Sequence, residues 1–165
     1  MEKNKGLTLI ELIVVIAVMG VVVSLVGISI SVVSRQKVGS AASDVKGQLQ
    51  AAQTISMSKD NCYVDIRRNG SGDVIFTTYS SADKVLDKLT IDSRINVIVH
   101  IGSTSYNITT GGSNVQILYE RESGAFANSK VGGAAQSAAV SSIDFKNGSK
   151  TVTLTLTKLT GKVTY

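Results

Sequence analysis

The chain has 165 residues, 43 % of them apolar, and seventeen Lys and Arg stand against twelve Asp and Glu for a formal charge of +5. That length holds one folded domain beyond its N-terminal segment, and the charge permits an acidic partner without requiring one. Cys62 is the sole cysteine, which excludes an intrachain disulfide and any two-cysteine metal pair; no metal or cofactor is expected.

Residues 7–33 form a continuous apolar run whose only charge is Glu11, directly behind the basic leader Met1-Glu2-Lys3-Asn4-Lys5-Gly6. As a helix the run is about 40 Å long, more than the ~30 Å hydrocarbon core of a bilayer. A lone carboxylate there costs about 2.5–3.5 kcal/mol, so a partner is expected. A cut after Gly6 supplies one, because Leu7 then carries an α-amino group one helical turn from Glu11, in the same chain or a neighbour. On spacing alone an uncleaved signal anchor, with Glu11 near the headgroups, stays open. Lys3 and Lys5 precede the span, which holds the leader in the cytoplasm and sends the rest outward. Within the run, Ala17, Gly20, Ser24, Gly27, Ser31 and Ser34 recur every three or four residues. Such a stripe either lets helix backbones approach closely or is merely tolerated.

The stretch Lys5-Gly6-Leu7-Thr8-Leu9-Ile10-Glu11-Leu12-Ile13-Val14-Val15 resembles the prepilin leader of type IV pilins and type II secretion pseudopilins. The resemblance implies that Gly6 ends the leader, that Leu7 becomes the methylated N-terminus in place of the commoner Phe, and that Glu11 is the mature-position-five glutamate. It implies an assembly segment comprising Thr8, Glu11, Gly20, Ser24, Gly27 and Ser31. The implied partners are a prepilin peptidase/N-methyltransferase, other pilin or pseudopilin subunits, an inner-membrane platform protein with its assembly ATPase, and membrane lipid before assembly. The implied location is a single pass through the cytoplasmic membrane, N-terminus inside and C-terminal domain outside, then a periplasmic or extracellular filament. Ile28 stands where many members have a proline, so a kink there is not expected. The absence of a C-terminal disulfide loop points to a minor pseudopilin or a Gram-positive filament.

Beyond residue 35 an amphipathic helix continues, with Val38, Ala42, Val45, Leu49, Ala52 and Ile55 on one face. Lys37, Asp44, Lys46, Gln48, Gln50 and Gln53 fall on other faces, and the helix is expected to end near residues 59–61. The period then changes to two. Residues 62–67 and 73–79 read as a hairpin, residues 80–89 as a connector with one helical turn, and residues 91–101 and 115–120 as strands separated by a loop. Residues 129–142, rich in Gly, Ala and Ser, read as a mobile loop. Residues 142–145 and 151–159 form a hairpin around Asn147-Gly148, Val152, Leu154 and Leu156 facing inward, and a short terminal strand follows. The expected organisation is a leader (1–6), a transmembrane or filament-core helix (7–34), its amphipathic continuation (35–60) and a β-rich head (61–165). The fold class is α+β, a long helix laid on an antiparallel sheet of six or seven strands, pilin-like. Residues 48–67, 117–126 with Ser123-Gly124, and the tail Leu156-Thr157-Lys158-Leu159-Thr160-Gly161-Lys162-Val163 look like the FimT/GspH-like branch of minor pilins.

Sites for catalysis are not expected. His100 lies in an apolar strand, no Ser/His/acid set is favoured by spacing, and Gly161-Lys162 lacks the rest of a phosphate loop. Asn69, Asn107 and Asn147 begin glycosylation triplets, of which two read as turns. Lys146, Lys150, Lys158 and Lys162 form a tail with no acid after Asp144. This is either a charged sheet edge or a DNA-contacting patch, the latter making the chain a DNA-binding minor pilin of an uptake filament.

Overall fold

The computed structural model describes residues 8–58 and 61–165, with residues 24–35 described by their backbone alone. Helix α1 spans Leu9–Ser58, and the chain divides inside it into two compact units, Met1–Gln36 and Lys37–Tyr165. The second unit carries β1 (Cys62–Arg68), β2 (Val74–Ser80), β3 (Val85–Ile91), β4 (Asn96–Ile101), β5 (Thr104–Asn107), α2 (Ile108–Gly111), β6 (Val115–Leu118), β7 (Lys130–Val131), β8 (Ala134–Ala135), β9 (Val140–Asn147), β10 (Lys150–Thr157) and β11 (Lys162–Thr164). The class is α+β, as expected. The strands form two antiparallel sheets, not one, in the orders β3-β2-β1-β6-β7-β8 and β11-β10-β9-β4-β5.

The core of the second unit follows from two periodicities. Along α1, Val38, Ala41, Ala42, Val45, Leu49 and Ala52 are buried at the three–four spacing of one helix face. Along the strands every second residue turns inward: Cys62, Val64 and Ile66 in β1, Val97, Val99 and Ile101 in β4, Leu154 and Leu156 in β10. The rings of Phe76 and Phe145 stack 6.3 Å apart and join the two sheets. Polar contacts then fix the helix on the strands. The Tyr119 hydroxyl donates to the Leu49 carbonyl at 3.0 Å, and the Cys62 thiol to the Ala52 carbonyl.

Five readings are corrected. Residues 80–89 are not a connector; their second half is β3, an edge strand exposed along most of its length, so it needs no apolar alternation. Residues 92–95 are not strand, because the Asp92 carboxylate accepts from the Arg94 amide at 2.9 Å and folds a turn ahead of β4. The loop 102–114 contains β5 and α2, with Asn107 as the helix N-cap. The Gly/Ala/Ser segment is tied down by buried Ser129, whose amide donates to the Ala138 carbonyl and whose hydroxyl accepts from the Val140 amide at 2.9 Å. Gln48 is buried rather than solvated, and its amide nitrogen donates to the Phe76 carbonyl (3.1 Å) and the Thr78 hydroxyl (3.2 Å).

Candidate functional site at the start of the first helix

Thr8 and Glu11 close the N-terminus of α1 on itself. The Thr8 amide and hydroxyl both donate to Glu11 Oε2, at 2.9 and 2.8 Å, and the Glu11 amide points back at Thr8 Oγ1 at 3.4 Å. This is a capping box, the Thr-x-x-Glu pattern in which each side chain satisfies the other residue's orphan N–H. The box is built from Thr8 and Glu11, both of which remain in a chain cut after Gly6. Among the described residues both bonds from Thr8 fall on one carboxylate oxygen, Oε2. The spacing of Thr8 and Glu11 is legible in the sequence as a helix start, a Thr-x-x-Glu pattern ahead of an apolar run.

Beyond the cap, twelve large apolar side chains in residues 9–23 are 45–77 % exposed. A patch of that extent needs lipid or another helix to cover it. Among the described residues no helix is long and apolar enough to cross a membrane. The described side chains of the run cover residues 8–23, about 24 Å of helix, whereas a span needs ~30 Å. Gly6 and Leu7 lie outside the described residues, as do the side chains at Ser24, Gly27, Ile28 and Ser31. Gly20 is described, and a Cβ added there would meet nothing within 4 Å.

The four tail lysines do not form one patch. Lys146 lies opposite Thr151 and on the outward side of β9, whereas Lys150 lies on the inward side of β10, its ammonium 4.0 Å from where a Cβ on Gly39 would sit. Lys158 is beyond the far end of β10, about 25 Å of strand from Lys150, and donates to the Asn128 side chain at 3.3 Å. Lys162 is exposed on β11.

Contrary to the spacing argument, a serine, the histidine and an acid do meet. Ser105 Oγ lies 2.8 Å from His100 Nδ1, His100 Nε2 lies 3.0 Å from Asp144 Oδ2, and the Thr153 hydroxyl donates to Asp144 Oδ1 at 2.7 Å. With the ring proton on Nε2, every bond in the row is satisfied. The row runs across β5, β4, β9 and β10 on one sheet face, with Ser105 exposed on the edge strand. It is a cross-strand hydrogen-bond ladder between neighbouring strands, which sequence separation hid.

Residues 1–27 match the family model of the prokaryotic N-terminal methylation motif. The chain carries a prokaryotic N-terminal methylation motif. No curated protein and no solved structure matches the chain. The match covers the N-terminal 27 residues and supports the resemblance to type IV pilin-like and pseudopilin precursors. The capping box and the exposed apolar helix both fall within the matched residues.

Three segments that looked like the FimT/GspH-like branch converge in space. The Gln53 amide on α1 donates to the Gly124 carbonyl at 3.0 Å and to the Thr160 carbonyl at 3.1 Å. A Cβ on Gly161 would lie 2.0 Å from the Gly124 oxygen, and one on Gly124 would lie 2.6 Å from Met57 Sδ. The two glycines therefore let two loops close on the helix.

Proposed function

We propose that the chain is a minor structural subunit of a type IV pilus-like or type II secretion pseudopilus filament, cut between Gly6 and Leu7 and methylated on Leu7. The reading is carried by one observation, the methylation motif with a single carboxylate at the start of an exposed apolar helix. In the bilayer the precursor spans once through residues 7–34, with its N-terminus in the cytoplasm and residues 61–165 outside. The platform protein and assembly ATPase then extract it into the filament. There the Glu11 oxygen not used by Thr8 meets the amine of a neighbouring Leu7, and the small-residue stripe of Gly20, Ser24, Gly27 and Ser31 packs against another helix. Dispersal of Lys146, Lys150, Lys158 and Lys162 over two sheet faces and both ends of β10 gives the DNA-binding alternative no single contact surface.

Intact-mass analysis of the chain co-expressed with a prepilin peptidase tests the processing step. The wild-type chain is expected to lose residues 1–6, and Gly6→Val is expected to retain them; a normally shortened Gly6→Val chain rejects the site. Glu11→Val is expected to be cut and inserted as usual but excluded from sheared filaments. Normal incorporation of that variant would overturn the pairing role.

A further inference from the structure

One end of the Lys37–Tyr165 unit is cationic. The turns at residues 69–73, 92–95 and 147–149 gather there around the first residues of α1 in this unit. The Ser93 amide donates to Asp73 Oδ1 at 3.1 Å, the Arg68 guanidinium lies 3.2 Å from a Cβ position on Gly72, and the Lys150 ammonium reaches the Gly39 position. Asn96, two residues after Arg94, pairs with Lys146. Lys37, Arg68, Arg94, Lys146 and Lys150 thus share this end with only two carboxylates, Asp73 and Asp92. Both carboxylates are partly buried and already hold partners. Asp73 accepts from Asn69 and Ser93, and Asp92 is paired with Arg94. Lys37, Arg68, Lys146 and Lys150 make no ion pair among the described residues. The unit holds fourteen Lys and Arg against ten Asp and Glu, a net +4, and this end accounts for +3 of it. The opposite end is mixed, with Asp83, Glu120 and Glu122 exposed among its cations.

The basic end is also the end at which the chain arrives from the apolar run. Lys37 follows Ser34 by three residues, at most about 10 Å of chain, which is one Debye length at 0.1 M salt. We propose that this end of the head docks on anionic phospholipid headgroups while residues 7–34 are still in the bilayer, and leaves them when the subunit enters the filament. The inference rests on the membrane-inserted precursor of the preceding section. Basic residues beside a membrane anchor are attracted by an anionic leaflet, each shifting a bound–free ratio on the order of fivefold, and salt screens the effect.

The full chain, labelled with a fluorophore through Ser149→Cys at this end or Glu122→Cys at the opposite end, reports contact; native Cys62 is buried and escapes the label. The chain is reconstituted into phosphatidylcholine vesicles with or without phosphatidylglycerol. Flotation reads insertion, and an aqueous quencher reads shielding. Flotation is expected with both lipids, whereas the Ser149→Cys label is expected to be quenched several-fold less in anionic vesicles only. That shielding should vanish at high salt and in Lys37→Gln/Arg68→Gln/Lys146→Gln, which leaves half-buried Lys150 in place. Glu122→Cys is expected to respond equally to both lipids. Flotation with equal quenching of Ser149→Cys overturns this inference alone, and failure to float overturns it together with the membrane reading. Duplex DNA shielding the label where anionic vesicles do not would identify the acidic partner as nucleic acid and also overturn it.

Discussion

Glycines with φ near +60° are not equal. Gly161 (φ +63°) sits against the Gly124 carbonyl and the Gln53 amide, whereas Gly132 (φ +57°) has nothing within 4 Å of an added Cβ. Gly132→Ala is therefore expected to cost about 1 kcal/mol, the left-handed backbone penalty alone. Gly161→Ala adds a clash with backbone and is expected to cost about 3 kcal/mol or more, separating the tail from α1. Thermal unfolding of the two variants compares them directly, and equal losses would refute the packing role of Gly161. Two tyrosines make a second residue-level test. Burial, aided by the Asp83 hydrogen bond and nearby negative charge, pushes the Tyr63 phenol up to about 12, and burial raises Tyr119 well above 10. Folded-state values above the unfolded one mean that the stabilising contribution is complete below pH 10 and lost as pH rises through 10 to 12 and beyond. Denaturant midpoints are expected to fall across that alkaline window. Replacing Tyr63 by Phe should flatten part of the fall, and an unchanged profile would count against the shift.

Elements were legible in the sequence where one face is buried and hidden where it is not. The apolar alternation of β1, β2 and β10 and the three–four spacing of α1 after Lys37 mark the faces turned to the core, although polar Asp65 and Thr77 on the other face of β1 and β2 are buried as well. Strand β3 escapes because it is an edge whose side chains are exposed on both faces, and β7 and β8 escape because two residues carry no period. Gln48 escapes because a helical wheel shows polarity, not the Phe76 carbonyl waiting beneath it. At the candidate site Glu11 was visible as a charge out of place, and its cap partner Thr8 was visible in the same motif. The closure of Gln53, Gly124 and Thr160 depends on residues 71 to 107 apart, beyond any local pattern. Thr8→Val removes the side-chain half of the capping box and is expected to cost the first turn about 1 kcal/mol. In detergent-bound protein the amides of Leu9, Ile10 and Glu11 should exchange several-fold faster, with exchange along residues 38–52 unchanged. Equal protection in both proteins would show that the cap does not hold the helix start.

At the scale of the whole molecule the boundary between Gln36 and Lys37 separates two kinds of stability. The described buried core residues, from Val38 to Val163, belong to the second unit, while the described apolar side chains of the first are exposed and, on the proposed function, are covered by lipid or other subunits. Folding of the head and assembly of the filament should therefore fail independently. Leu49→Ala empties a fully buried position and is expected to cost about 2–5 kcal/mol, a drop in Tm of roughly 6–20 °C for a unit of this size. Leader removal lies at the other end of the chain and should proceed unchanged at permissive temperature. Glu11→Val is expected to do the reverse, with an unaltered Tm of the head and no incorporation into filaments. The measurement is a melting curve and a processing assay on both variants. If Glu11→Val lowered the Tm of the head as much as Leu49→Ala does, the first turn of α1 would be acting on the folded domain itself. Its charge would then have a structural role inside one subunit rather than a docking role between two.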